Sequence, residues 1–244
     1  MPQDSSPLAV PKPGPRVVTQ TELRTVVVMD YQNIHLVGRN RFRGKDTPAH
    51  ECLIHPLHFA TRLIAERNSR QKDGHLPAKL SQVDVYRGQP DATHDPIAFG
   101  RNDSQAIEWR SSDPRVKVHL RTLRYEYQRD AQGRKIENIH GKYEVDWTKK
   151  PEEKGVDVLC ALRVYQAALD PAVDLVILAS IDTDLIPALN IAYDTRRAKI
   201  ETAFWGDRSF GGFGQLRLDK PRGSIWGTPL TRDDFEASVD PKAY

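Results

Sequence analysis

The chain has 244 residues, 39% hydrophobic and 28% charged, with a formal net charge of +3. That length and balance suit a soluble globular chain with one full core and room for appendages. Two cysteines, Cys52 and Cys160, exclude a disulfide framework and a cysteine-rich zinc knuckle. No stretch approaches the roughly 18 apolar residues of a membrane span, and no basic-then-apolar opening marks a secretory signal, so the expected location is cytoplasmic.

Residues 1–20 hold five prolines and little to bury, which predicts a disordered tail. A continuous β-branched run predicts a strand over 23–29, buried on both faces. Asn40 to Lys45 reads as a basic loop. Leu57, Ala60, Leu63 and Ile64 recur at helical spacing behind Pro56, predicting a helix over 56–68. Alternation predicts a strand over 81–86, followed by a helix over 96–110 and a strand over 116–123. Aromatic and polar residues then alternate around Asp130-Ala-Gln-Gly133, which predicts a β-hairpin inserted over about 125–148. Val158, Ala161, Leu162, Tyr165, Ala168 and Leu169 make 157–169 the best helix of the chain. A strand over 173–179, a helix over 182–193 and a strand over 200–204 complete a domain spanning 21–205. Residues 206–244, opening with Gly206, Gly211, Gly212 and Gly214, are expected as an extension with a hairpin-like segment, packing on the domain. No internal repeat is visible. Alternating strands and helices imply an α/β fold with a parallel sheet.

Four acidic residues stand where such a fold gathers ligands. Asp30 closes the first strand, Asp157 opens the best helix, and Asp182 and Asp184 follow the fourth strand. In open α/β sheets, ligands bind outside the carboxyl ends of the strands. Two carboxylates about 4 Å apart repel by roughly 4 kcal/mol at an effective dielectric of 20. A cluster must therefore protonate, spread apart or bind a cation. Oxygen donors with no cysteine or histidine beside them favour Mg²⁺ or Mn²⁺ over zinc. Taken singly, Asp30 could cap a turn, Asp157 could favour a helix dipole and Asp182 could cap a helix; the joint pattern points to one acidic site.

Three blocks carry that pattern: Asp30-Tyr31-Gln32-Asn33, Lys154-Gly155-Val156-Asp157, and Ser180-Ile181-Asp182-Thr183-Asp184. In this order they resemble the NYN domains, a branch of the PIN-like ribonucleases. The resemblance implies a three-layer, Rossmann-like fold with a mainly parallel five-stranded sheet in the order 3-2-1-4-5. Asp30 and Asp182 would stand side by side at its switch point. It further implies that Asp30, Asp157 and Asp182 bind Mg²⁺ or Mn²⁺ and that RNA phosphodiesters are hydrolysed. Asp184 would be a further ligand or hold the attacking water, and Asn33 would orient the substrate or the first aspartate. The chain departs from the family at Ile181, where glycine is usual, and at Leu185, where an aromatic is usual.

The expected partner is single-stranded RNA, with a homodimer also open to the chain. Arg41, Arg43 and Lys45 in the basic loop are expected to track a phosphate backbone, Lys154 to approach the scissile phosphate and Ser180 to stand near the metal. Each also has a plain reading as a solvated or packing residue. The alternative function is a module of the same fold, weak or inactive as a catalyst, that grips RNA or protein. A phosphatase is disfavoured, because Gln32 stands where a D-x-D-x-T block needs its second aspartate. No G-x-x-x-x-G-K-[ST] phosphate loop is present either.

Overall fold

The computed structural model describes residues 20–206 and 214–244; the expected tail over 1–20 lies almost wholly outside them, as do Gly211 and Gly212. Six strands form one all-parallel sheet: β1 (Leu23–Asp30), β2 (Ala78–Gln89), β3 (Val116–Thr122), β4 (Leu175–Ala179), β5 (Lys199–Trp205) and β6 (Trp226–Leu230), in the order β3-β2-β1-β4-β5-β6. The central pair β1 and β4 is apolar on both faces, Val26 to Met29 and Leu175 to Ala179 being buried throughout. One apolar layer packs α1 (Tyr31–Phe42), α2 (Pro56–Ser69), α3 (Pro96–Ser112) and α6 (Arg232–Ser238) against one face. The other packs α4 (Val156–Leu169) and α5 (Ile186–Asp194) against the opposite face. The architecture is thus a three-layer α/β sandwich.

The sheet has one strand more than expected. In place of a hairpin-like segment after 206, the chain adds β6 in parallel beside β5, so the order runs 3-2-1-4-5-6. Gly227 and Pro229 hide this strand from pattern reading, and Pro229 is tolerated because β6 is an edge. The basic loop expected at 40–45 is instead the last turn and exit of α1, a helix of 12 residues. At 1.5 Å per residue α1 carries the chain about 18 Å away from the end of β1.

The insert before α4 is a closed triangle of three turns. The bridges Arg129↔Lys135 and Glu137↔Tyr143 each close one turn and Tyr127↔Val145 joins the ends of the insert, all antiparallel, so the hairpin expected over about 125–148 is replaced by short separate pairings. The backbone bonds close the ring: Gln128 N donates to Glu144 O, Glu144 N to Ile136 O, and Ile136 N to Gln128 O, at 2.9, 2.9 and 3.0 Å. The spacing is eight residues, a pseudo-repeat that is invisible as sequence identity. Its three corners are Asp130, Asn138 and Asp146, whose Oδ1 atoms accept from the backbone N two residues on, at Gln132, His140 and Thr148. Short polar side chains that mimic a turn in this way, with Gly133 and Gly141 at positive φ in the first two turns, are the repeat's signature. Lys135 lies over the rings of Tyr127 and Tyr143, 4.3 and 4.8 Å from their centroids, so these aromatics stabilise the triangle by cation–π contact.

Candidate functional site

β1 and β4 run side by side to the register pair Met29↔Ala179, and the next residues, Asp30 and Ser180, meet where the topology reverses. Asp30 leaves the strand and caps α1, accepting from Asn33 N at 3.3 Å. Ser180 Oγ donates to Asp30 Oδ2 at 3.1 Å and accepts from Asp182 N at 3.1 Å. Asn33 Oδ1 accepts from Ile181 N at 3.0 Å, which ties α1 to the turn after β4. Asp182 in turn caps the short 3-10 turn Thr183–Leu185, accepting from Asp184 N at 3.0 Å. One hydrogen-bonded network thus joins Asp30, Asn33, Ser180 and Asp182.

Asp157 enters from the opposite layer. Gly155 holds φ +75°, a left-handed backbone that suits glycine, and turns the chain into α4 with Asp157 in its first turn. Burial pushes the Asp30 carboxyl up to about 6, against the bonds from Asn33 and Ser180, and the charges of Asp182 and Asp157 push the same way. The thiol of Cys160, one turn into α4, is raised by burial and then by the charges of Asp30, Asp157, Glu153 and Asp182. One cysteine therefore sits in the field of four acids, and it stays a neutral thiol, unfit as a metal ligand.

Glu153 is the member that sequence reasoning missed. Its carboxylate accepts from Gly88 N at the end of β2, and the Gln32 carboxamide, turned so that its nitrogen faces Glu153, donates to it at 2.7 and 2.8 Å. Burial raises its proton affinity, while the Gly88 bond opposes this and the Asp30 charge adds to it. Gly88 makes the approach possible: a Cβ there would lie 2.7 Å from Glu153 Cγ and Oε1 and would strike Leu123. A glycine inside a strand signals such a close approach, and Gly88 was the available clue. Glu153 itself hides in Glu152-Glu153-Lys154, a run that reads as a solvated charged loop.

The remaining expected residues are not all brought together. Asp184 is exposed at the rim, and Lys154 is exposed and paired with Glu152 at 3.0 Å. Arg41 in the last turn of α1, Arg43 at its C-cap and Lys45 just beyond lie at the end of the helix away from Asp30. Arg43 forks onto Glu236 of α6, its Nε donating at 2.9 Å, and Arg41 lies against the Phe42 ring. Among the described residues, no three His, Cys, Asp or Glu side chains are set closely enough to cage an ion as they stand.

No family model and no curated protein matches the chain. Among solved structures, a protein of unknown function from Vibrio parahaemolyticus is similar at 14% identity. The match covers 77% of this chain and 84% of that one at a TM-score of 0.40.

The donor set nevertheless fits a hard cation. Every available ligand is a carboxylate or hydroxyl oxygen, and Mg²⁺ is held through one or two carboxylates with several waters retained, so a preformed three-ligand cage is not required. Beyond Asp157 and Asp184, α4 and α5 leave an apolar groove in which Val158, Leu162 and Ile191 are each more than half exposed. No helix among the described residues is long and apolar enough to cross a membrane.

Proposed function

We propose that this chain is a metal-dependent endoribonuclease that hydrolyses single-stranded RNA through an acidic Mg²⁺ or Mn²⁺ site, in the cytoplasm. The observation that carries the reading is Asp30. It is a buried carboxylate at the switch point of a parallel sheet, with the charges of Asp157 and Asp182 adding to the cost of its own. Such a group is relieved by a proton or by a cation.

Asp30, Asp157 and Asp182 hold the ion directly or through water, and Asp184 at the rim positions the attacking water. A bound divalent ion would lower the pKa of that water and neutralise charge developing on the phosphorus oxygens. Asn33 acts as a positioning residue, since its carboxamide oxygen accepts from Ile181 N. Ser180 keeps Asp30 and Asp182 in register, and Lys154 contacts the RNA phosphate. A second copy of the chain is not needed for this chemistry, because every named group belongs to one chain.

The experiment is hydrolysis of labelled RNA in Mn²⁺. Asp157→Asn and Asp182→Asn are each expected to lower the rate at least about 100-fold, in line with losing a group that orients or stabilises the reacting atoms. A second reading, a module of this fold that binds RNA without turnover, is favoured by Ile181, whose branched side chain replaces a freely bending glycine. RNA binding that survives EDTA with no cleavage under any metal would establish that reading instead.

Gly88→Ala tests the part played by Glu153. The added methyl displaces the carboxylate, and a shift near 1 Å at a catalytic site costs on the order of 100-fold in rate. The expected result is that loss in kcat of the folded protein together with a lower melting temperature, because the methyl also strikes Leu123; an unchanged kcat would remove Glu153 from the site.

A further inference from the structure

A cleft opens on the β2 side of the acidic centre, beside Gln32 and Glu153, and α3 lines its far wall with Arg101, Asn102 and Gln105. Its floor is Arg87 of β2. The Arg87 guanidinium lies 4.6 Å from the Tyr31 ring centroid and 5.4 Å from that of Trp109. Nη1 donates to Gln105 Oε1 at 2.8 Å. Among the described residues, the half-buried Arg87 forms no ion pair with a carboxylate within 4.0 Å, whereas the buried Arg67 pairs with Glu201 and the half-buried Arg163 with Asp84. An enclosed charge without a counter-charge is costly. Burial lowers its proton affinity accordingly, with Tyr31 and Glu153 opposing at longer range.

Ring packing covers the guanidinium's apolar faces and one amide takes one of its donors. The rest of a planar five-donor fork is left on the cleft, a geometry that matches a phosphate in bidentate fashion. Asn102, 6% exposed, ties this wall to β2 by donating from Nδ2 to Gly88 O at 3.2 Å. Arg101 stands exposed on the rim and adds a second positive charge.

We infer that this cleft is a phosphate subsite, in which Arg87 and Arg101 grip the phosphate of a nucleotide next to the scissile bond. The inference rests on the ribonuclease reading for its substrate, but its test does not depend on cleavage. The cleft adjoins Asp30 through Gln32 and Glu153, so a strand lying across the acidic centre continues into it.

The probe is hexauridylate carrying a fluorophore at its 3′ end, bound to the full chain in EDTA over a series of salt concentrations. Arg101→Ala, at an exposed position, is expected to weaken binding about tenfold. It should also reduce the slope of log affinity against log salt by about 0.7, the value for one lost single-strand phosphate contact. Arg87→Gln is expected to do the same more strongly, with its melting temperature recorded because Arg87 also packs on Tyr31 and Trp109. Hexauridylate with a 5′-phosphate distinguishes the source. A preference for it that Arg101→Ala abolishes assigns the subsite to a chain end, and equal binding assigns it to an internal phosphodiester. Variants that bind within twofold of the unaltered chain, with the same salt slope, overturn the subsite. Loss of binding in both variants from a chain that cleaves nothing leaves the subsite standing and overturns the nuclease.

Discussion

Asp30→Asn is expected to make the metal-free protein more stable at pH 7.5 while abolishing RNA cleavage. The sign follows from the carboxyl's environment. Burial raises it from the usual carboxylate range to about 6, so the folded state holds the proton more tightly than the unfolded chain does. Below about pH 4 the group is neutral in both states and costs nothing. Between pH 4 and 6 the unfolded chain ionises first, and stability falls. Above pH 6 the full cost is in place, about 3 kcal/mol for a difference of roughly two pKa units. An asparagine keeps the cap acceptor for Asn33 N and carries no charge, but its amide nitrogen replaces the oxygen that accepts from Ser180 Oγ, a loss of about 1 kcal/mol. The expected net gain at pH 7.5 is about 1–2 kcal/mol, or roughly 2–8 °C for a chain of this size, and it is gone at pH 4. Added Mn²⁺ should stabilise the unaltered protein at pH 7.5 and leave the variant unmoved, because an ion that binds only the native state stabilises by mass action. Thermal melts of both proteins at the two pH values, with and without Mn²⁺, check every part. Destabilisation of the variant at pH 7.5 would remove the argument that Asp30 stores electrostatic cost.

The largest loss of stability is expected at the opposite end of the sheet. Arg67 of α2 and Glu201 of β5 are 1% and 0% exposed in their side chains. They form a fork, Nε to Oε2 at 3.2 Å and Nη2 to Oε1 at 3.0 Å, while Nη1 donates to Leu76 O at 3.1 Å. Lys199 also reaches Glu201, at 2.8 Å. Removing Arg67 leaves a buried carboxylate with one partly exposed lysine. Arg67→Met is therefore expected to cost about 3–5 kcal/mol in denaturant unfolding, the usual penalty for breaking a buried pair from one side. The double change Arg67→Met with Glu201→Leu should recover most of that loss, since a well-packed apolar pair replaces a buried ionic one at little cost. The residual activity of folded Arg67→Met at low temperature should be normal, because the pair lies at the start of β5, away from the strand ends that form the site. A single variant losing less than about 1 kcal/mol would mean that Glu201 is already neutralised by Lys199.

Much of the layer order was legible because the central strands are continuous apolar runs. Val26 to Met29 and Leu175 to Ala179 have no polar face, and that is how a strand buried on both sides reads. Asp30 is the first polar residue past the β1 run, and Asp182 follows two residues after Ser180, the first polar residue past the β4 run. What escaped had no periodic apolar signal. α1 begins inside the Asp30-Tyr31-Gln32-Asn33 block and ends in Arg39-Asn40-Arg41-Phe42, so its sequence reads as a motif followed by a loop. β6 carries a glycine and a proline and is recruited by β5 alone. The triangular insert is built from hydrogen bonds between turns eight residues apart, and its corner residues Asp130, Asn138 and Asp146 are ordinary turn formers taken one at a time. Glu153 and Arg87 belong to the site through contacts across layers, with Gly88 and with the rings of Tyr31 and Trp109. Gly88 inside β2 signals the first of these contacts, and no local pattern encodes those of Arg87.

The most direct measurement is a crystal soaked in manganese, with anomalous scattering recorded at the manganese edge. The account predicts one principal peak at the carboxyl end of β1, with Asp30 as a ligand and with Asp157 and Asp182 coordinated directly or through one water each. The Asp30→Asn crystal should lose it. A peak elsewhere on the molecule, or none at that place while RNA is still cleaved in Mn²⁺, would contradict it.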